Sequence, residues 1–341
     1  MTAVLTGMIA VSLAAGLDWL IGDPRRLLHP VVVMGWLINH LRKPLEHWAG
    51  DRPWKLQAAG GLICLVLLGC SGTAGWAIER LALDPSLAEP IGWLALLIGL
   101  ASALAGRSLH ASVLAILTAL ADSEDPDHSQ AKEKLSWIVG RDVQQLDEQG
   151  ILRAATESAA ENAVDGLFAP LLWMSLGAWL WWIHPALPGP LSMVWMFKGA
   201  STMDSMLGYR IGRLRWLGTV GARLDDLLVW LPCRLVMVTL PLVSRPWWQW
   251  SAIVQASERD GAMDPSPNAG RSEAVYAHCV GVRLGGRNRY GRRWVDKPNL
   301  AKDQQPPQRH DVLTVLKLNQ RLELCWIATG LLVSGLIWCS Q

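Results

Sequence analysis

The chain has 341 residues, 51% hydrophobic and only 18% charged, with a formal net charge of +2. Soluble domains usually carry about 25% charged residues, and a near-neutral balance with no basic tract argues against a nucleic-acid partner. The apolar residues gather in runs close to the roughly 17–25 residues that a spanning helix needs, which makes the chain an integral membrane protein rather than a soluble one.

In chain order, the runs are Leu5 to Ile21, interrupted by Asp18, then Leu56 to Ile78, Ile91 to Ala105, Leu167 to Ile183 and Leu324 to Trp338. The start lacks a charged n-region and a cleavage site, so no signal peptide is expected. The segment 22–55 carries Arg25, Arg26, Arg42, Lys43, Arg52 and Lys55. The positive-inside rule puts it in the cytoplasm and the N-terminus outside. The loop 79–90 then lies outside with Arg80, and 107–165 lies inside as a polar, helical cytoplasmic segment. Span four runs outward to the "HPALPGP" turn at 184–190. Leu191 to Phe197 is too short to cross alone and is expected to continue helically through "KGASTMDSMLGY".

Leu227 to Val243 is long enough to span but contains Pro232, Arg234 and Pro241. A mid-span arginine costs at least about 2.5 kcal/mol on insertion scales, so a re-entrant or surface-lying helix is expected there. The region 245–320 reads as a polar cytoplasmic loop region, and the last span begins near Leu322. The fold class is therefore an all-α polytopic membrane protein. It has about five to six transmembrane helices, re-entrant or amphipathic helices and a cytoplasmic-side polar region, in a single integral membrane domain over 1–341.

The 20 tryptophans outnumber the 2 phenylalanines. Trp181-Trp182 and Trp247-Trp248 fall at the ends of apolar runs, where tryptophan anchors at the membrane–water interface. The six cysteines form no CxxC pair. They read as small hydrophobes, with neither a zinc site nor a disulfide framework.

Five polar motifs collect on the cytoplasmic side. "AATESAAENAVDGLFAP" at 154–170 sets Glu157, Glu161 and Asp165 at i, i+4 spacing, with Arg153 before them and Ser158 and Asn162 beside them. Like charges at that spacing repel on a helix. A divalent cation would relieve the repulsion, and Mg²⁺ favours a few carboxylates plus substrate phosphates. "KGASTMDSMLGYR" at 198–210 adds Lys198 and Asp204. "GARLDDLLVWLP" at 221–232 adds Arg223 and the adjacent Asp225 and Asp226, with an Arg223–Asp226 pair possible at i, i+3. "DPSPNAG" is a proline-set turn before a helix near Arg271. Ser266 or Asn268 would cap that helix, whose first N–H groups suit an anion. "GVRLGG" follows as a glycine-rich turn with Arg283 and Arg287. Asp18, Asp23 and His29 follow the first span, His29 reading as structural. No P-loop, dinucleotide fingerprint, GxSxG or HExxH motif is present.

The stretches "LDWLIGDPRRLLHPVVVMGWLI", "ESAAENAVDGLFAPLLW", "KGASTMDSMLGYR", "GARLDDLLVWLPCRL", "ERDGAMDPSPNAGRSEAVYAHCVGVRLGG" and the "KP" of Lys297-Pro298 resemble the CbiB/CobD family of cobalamin biosynthesis, adenosylcobinamide-phosphate synthase or cobinamide synthase. They agree in order from about residue 17 to 300. The resemblance implies a multi-pass enzyme of the cell inner membrane with its active site on the cytoplasmic side. That enzyme joins adenosylcobyric acid to (R)-1-amino-2-propanol or its O-phosphate, with ATP and Mg²⁺ driving amide formation. On that basis Glu157, Glu161, Asp165, Asp225 and Asp226 are the expected metal residues. Glu157, Asn162, Ser266, Asn268, Glu273 and Arg283 are expected to bind cofactor or substrate. Lys198 and Arg223 would stabilise transferring phosphate, and Asp204 would serve as base. Expected partners are the corrinoid, the aminopropanol, the lipid bilayer and other late cobalamin-assembly enzymes, with no nucleic acid. The competing class is a membrane transporter or sensor, which would carry its polar residues at mid-bilayer.

Overall fold

A computed structural model describes residues 3–22, 29–84, 89–121, 125–245, 247–291 and 293–340. Asp23 of the first polar motif, with Arg25 and Arg26, lies outside the described residues. The helices are α1 (Ala3–Ile21), α2 (Pro30–Ala49), α3 (Pro53–Leu83), α4 (Glu89–Ala101), α5 (Gly106–Leu120), α6 (Ser129–Ser136) and α7 (Glu148–Ala163). A π-helical turn (Val164–Phe168) then leads into α8 (Ala169–Ile183). After it come α9 (Pro190–Leu207), α10 (Leu214–Leu217), α11 (Thr219–Val243), α12 (Trp250–Gly261) and α13 (Ala269–Val280). The hairpin strands β1 (Leu284–Tyr290) and β2 (Arg293–Leu300) precede α14 (Arg309–Cys339).

The protein is an all-α polytopic membrane protein: six of its helical segments are long and apolar enough to cross a bilayer. One of the six is α11, so 227–243, expected to be a re-entrant or surface-lying helix, also has the length and hydropathy to cross. Arg234 has a partner: its Nη1 donates to Asn268 Oδ1 at 2.7 Å, and its guanidinium lies 4.8 Å from the Trp230 ring centroid. A satisfied, stacked arginine carries much less of the insertion penalty than a bare one. Two other boundaries also move. The segment from 107 opens with the apolar α5 rather than polar chain, and 245–320 is not a loop region but α12, α13, a hairpin and the start of α14.

The described residues group into two compact units. The first comprises Met1–Ala105, Ala169–Leu228 and Trp326–Gln341. In it α3 runs past the expected end of its span to bury Glu79. That carboxylate accepts from the backbone N–H groups of Gly189 (2.8 Å), Leu191 (2.7 Å) and Ser192 (2.9 Å). Three orphan donors at the N-terminus of α9 are thus satisfied by one negative charge, placed where the helix dipole favours it. Gly75 makes the approach possible, because a Cβ there would stand 2.7 Å from the Ser192 Cα. Small residues at such crossings let helix backbones approach closely in lipid. Met34, Ile38, Ile63, Leu67, Met203 and Leu207 fill the core beside this contact. His29 is structural, as expected: its Nδ1 accepts from Val31 N and caps α2. Trp181 is no interface anchor. It is fully buried, while Trp182, Trp247 and Trp248 are exposed.

The second unit comprises Gly106–Phe168 and Val229–Cys325. Its core holds Ala274, Ala277, Val282, Leu284 and Leu300. A buried polar relay crosses it, in which Tyr276 donates to Asn319 Oδ1 and Asn319 Nδ2 donates to Ala159 O. All six cysteines are free thiols.

Candidate active site

The second unit holds the larger polar constellation, and α7 is its spine. Asp147 starts that helix by accepting from Gly150 N at 2.8 Å, a side-chain N-cap. Two turns on, Glu157 is buried with 1% exposure. Its Oε2 is ion-paired with Arg141, and its Oε1 accepts from Gly285 N at 2.8 Å. Arg141 also donates to Asn288 Oδ1 at 2.7 Å. Arg153 completes the lock, donating to Gly285 O at 2.7 Å and to Asn288 Oδ1 at 3.1 Å. The hairpin is therefore fastened to α7 by charge-assisted hydrogen bonds, the strong kind.

Gly285 and Gly286 of "GVRLGG" form part of β1 rather than a turn, while Gly281 caps the end of α13. The ladder slips between Gly285 and Gly286, where φ is +81° and +85°. A Cβ on Gly285 would lie 1.9 Å from Pro298 O, so only glycine fits this bulge.

One helical turn beyond Glu157, Glu161 makes no hydrogen bond or ion pair among the described residues. It lies within electrostatic reach of Lys297, Glu157, Asp264 and Arg141. Lys297 Nζ stands 3.2 Å from Glu273 Oε1 and 4.0 Å from Asp264 Oδ2. Burial pushes the Glu273 carboxyl up to about 8; Glu157 and Glu161 add to this and Lys297 opposes it. Burial alone would lower the Lys297 ammonium, but Glu273, then Glu161 and Asp264, outweigh it and hold it above the ordinary lysine value. The result is a buried set of carboxylates compensated by one lysine and one arginine.

This arrangement carries a pH consequence. The native protein binds the Glu273 proton more tightly than the unfolded chain, whose carboxyl titrates near 4.5. Stability contributed by that proton is complete below this value and is lost as pH rises toward about 8. In EDTA, the melting temperature of the detergent-solubilised protein should fall across that window, and Glu273→Gln should flatten the decline. An unchanged slope in the variant would remove Glu273 as its source.

Beside the cluster lies a cavity of about 800 Å³ whose wall includes Arg153, Arg283, Arg287 and Lys297. That volume suits a cofactor-sized ligand.

The structure does not keep the three-carboxylate ladder whole. The π-helical turn begins at Val164 and widens the helix, a feature frequent at functional sites. Asp165 acts on the Cys233 thiol, while Glu161 faces the Lys297 group. Nor are the first N–H groups at the start of α13 open to an anion. Ser266 Oγ accepts from Asn268 N at 3.2 Å and Ala269 N at 3.1 Å, and Asn268 Oδ1 is spent on Arg234. Asn162 is tied to Ser158 Oγ at 2.7 Å. Arg271 pairs through two nitrogens with Glu258, at 2.6 and 2.8 Å.

The first unit carries a separate cluster. The charges of Asp204 and Asp226 act on Asp225, with Lys198 opposing them. Asp225 Oδ1 is buried without a hydrogen-bond partner. Arg210 is a cation acting on Asp226, and Arg223 is exposed.

Among the described residues, no three histidine, cysteine or carboxylate side chains are placed to hold a metal by themselves. The donor set still fits a hard cation that draws its remaining ligands from phosphate and water. Glu161 has uncommitted oxygens, whereas Glu157 has both committed to protein donors. The residues not assigned a role from the sequence are Arg141, Asp264, Asn288 and Lys297. Asp264 left a signal in the "DPSPNAG" turn and Lys297 in its lysine-proline dipeptide.

The chain matches the CobD/Cbib protein family over residues 11–319. It is 38% identical to the cobalamin biosynthesis protein CobD of Synechocystis sp. over 321 residues, 92% of this chain and 87% of that protein. It is 37% identical to the CobD protein of Yersinia enterocolitica, covering 87% of this chain and 88% of that one. The CbiB protein of Salmonella typhimurium is 34% identical, over 97% and 96% of the two chains. No solved structure matches.

Proposed function

The chain belongs to the CobD/CbiB family of cobalamin biosynthesis proteins, and from that premise we propose that it is an ATP-dependent acid–amine ligase, joining adenosylcobyric acid to (R)-1-amino-2-propanol or its O-phosphate. The observation that carries this reading is the compensated cluster of Glu157, Glu161, Glu273 and Asp264 with Lys297 and Arg141, set against a cavity with a cationic wall. Amide formation from a carboxylate needs an activated acyl group. A corrinoid carboxylate oxygen attacks the terminal phosphorus of ATP, the bond to ADP breaks, and an acyl phosphate forms. The amine nitrogen then attacks the acyl carbon, phosphate leaves with the bonding pair, and the nitrogen gives up a proton.

Little of this needs covalent help from protein. Positioning and charge stabilisation are the main tasks. Lys297 meets the negative phosphoryl oxygens, and the buried carboxylates behind it fix its position. Glu161 is the carboxylate best placed to hold Mg²⁺, which when bound supplies further positive charge to the phosphates. Glu157 acts as scaffold. The amine must shed a proton before it attacks, which solvent or the departing phosphate can accept. ATP supply puts the reaction on the cytoplasmic face of the inner membrane.

The test is purified protein with adenosylcobyric acid, aminopropanol or its phosphate, and Mg-ATP. A new corrinoid of the mass of the amide, formed with matching ATP consumption, is expected. ATP consumed without a new corrinoid, or none consumed, overturns the ligase reading in favour of a transporter or sensor.

A further inference from the structure

The cavity beside β1 is cationic, and its occupant can be argued from charge. Arg153, Arg283, Arg287 and Lys297 line it against two carboxylates, Asp147 and Asp296. Asp147 is spent on capping α7, and Asp296 stands 3.8 Å from Arg287. Arg153 and Lys297 face inward partners, Glu157 and Glu273. Arg283 and Arg287 differ from them. Both are exposed. Arg283 makes no side-chain hydrogen bond or ion pair among the described residues, and Arg287 is stacked with its guanidinium carbon 4.8 Å from the Trp294 ring centroid. Two arginines are thus presented at the rim of a cavity that already has a half-buried lysine in its wall.

We propose that this cavity holds the polyphosphate chain of the nucleotide, with Arg283 and Arg287 gripping the phosphates at its mouth and Lys297 meeting the reacting phosphate. The proposal rests on the ligase reading above. Three observations favour a polyphosphate over the corrinoid. The acid substrate brings one free carboxylate among neutral amides, whereas a triphosphate brings roughly four negative charges to the two rim arginines and Lys297. Arginine forks match phosphate oxygens two at a time. The volume of about 800 Å³ fits a nucleotide better than a corrin ring with its side chains. The Trp294 ring under Arg287 fixes the guanidinium before the ligand arrives, which lowers the ordering cost of binding. The bulge at Gly285–Gly286 sets where the rim stands, and the Glu157 lock holds it there.

The experiment uses the full chain in lipid nanodiscs. Binding of tripolyphosphate and of ATP, each with and without Mg²⁺, is measured by calorimetry for the wild type and for Arg283→Gln/Arg287→Gln. Corrinoid binding is followed separately through its visible absorbance. The double variant should bind both phosphate probes about tenfold more weakly or worse. Its corrinoid affinity and melting temperature should match the wild type, and raising ATP should restore its turnover. Arg283→Lys/Arg287→Lys should recover part of the loss. If the wild type uses ATP and the double variant binds it equally well, the proposal falls while the ligase reading stands. Weakened corrinoid binding with ATP binding intact assigns the cavity to the corrinoid and overturns the proposal as well. If the wild type neither binds nor consumes ATP, the ligase reading fails and takes this one with it.

Discussion

Glu157→Ala should cost the second unit about 3–5 kcal/mol, the range for removing one partner of a buried ion pair. The reason is what the substitution strands. Arg141 has a side chain only 8% exposed and loses its counter-charge. Gly285 N loses its acceptor at the buried start of β1. Only the bonds of Arg141 to Asn288 and of Arg153 to Asn288, Gly285 O and Arg287 O then hold the hairpin. Thermal unfolding in detergent should show a large drop in melting temperature. Hydrogen exchange should locate the loosening first at Leu284–Tyr290. Glu157→Gln keeps an oxygen for Gly285 N and should cost less. Pairing Glu157→Ala with Arg141→Met should recover part of the loss, since the stranded charge and not the missing contact is the larger penalty. A single variant as stable as the wild type would show that the hairpin is held some other way.

The apolar runs made the membrane class and most spans legible, because a window of about 20 apolar residues suits little besides the core of a bilayer. The acidic face of α7 was legible for a similar reason, since i, i+4 spacing survives in any helix. Three features resisted. The first was α11, where Arg234 looked prohibitive until Asn268, 34 residues later, proved to accept its hydrogen bond. No local pattern announces a partner at that distance. The second was the hairpin. "RNRYGRRWVDK" lacks the alternation that marks a half-buried strand, because β2 is exposed along most of its length. Its strands are instead anchored from one end by Arg141, Arg153 and Glu157. The third was Lys297, whose role depends on Glu273, 24 residues earlier in sequence and 3.2 Å away in space. Family resemblance flagged the dipeptide, but only the fold supplies the reason for it. Asp165 sits inside a π-helical turn, which spacing alone does not reveal.

Glu161→Gln separates chemistry from folding more cleanly than any other change. Product formation should fall by about a hundredfold or more, the scale of losing one charged contact to a reacting group. Stability should hold or rise. Glu161 makes no hydrogen bond or ion pair among the described residues; burial disfavours its charge most, Glu157 and Asp264 oppose it, and Lys297 and Arg141 offset only part of this. Neutralising it relieves that crowding, and the Lys297–Glu273 contact stays in place. A residue retained at a cost in stability is what a functional site looks like in free-energy terms. The measurement pairs corrinoid product formation with melting temperature in the same preparation. Lower activity together with lower stability would mark Glu161 as one more scaffold group like Glu157. Near-normal turnover would remove it from the metal and phosphate chemistry altogether. Only the divergence of the two readouts, activity down and stability level or up, supports a carboxylate kept charged for the reaction.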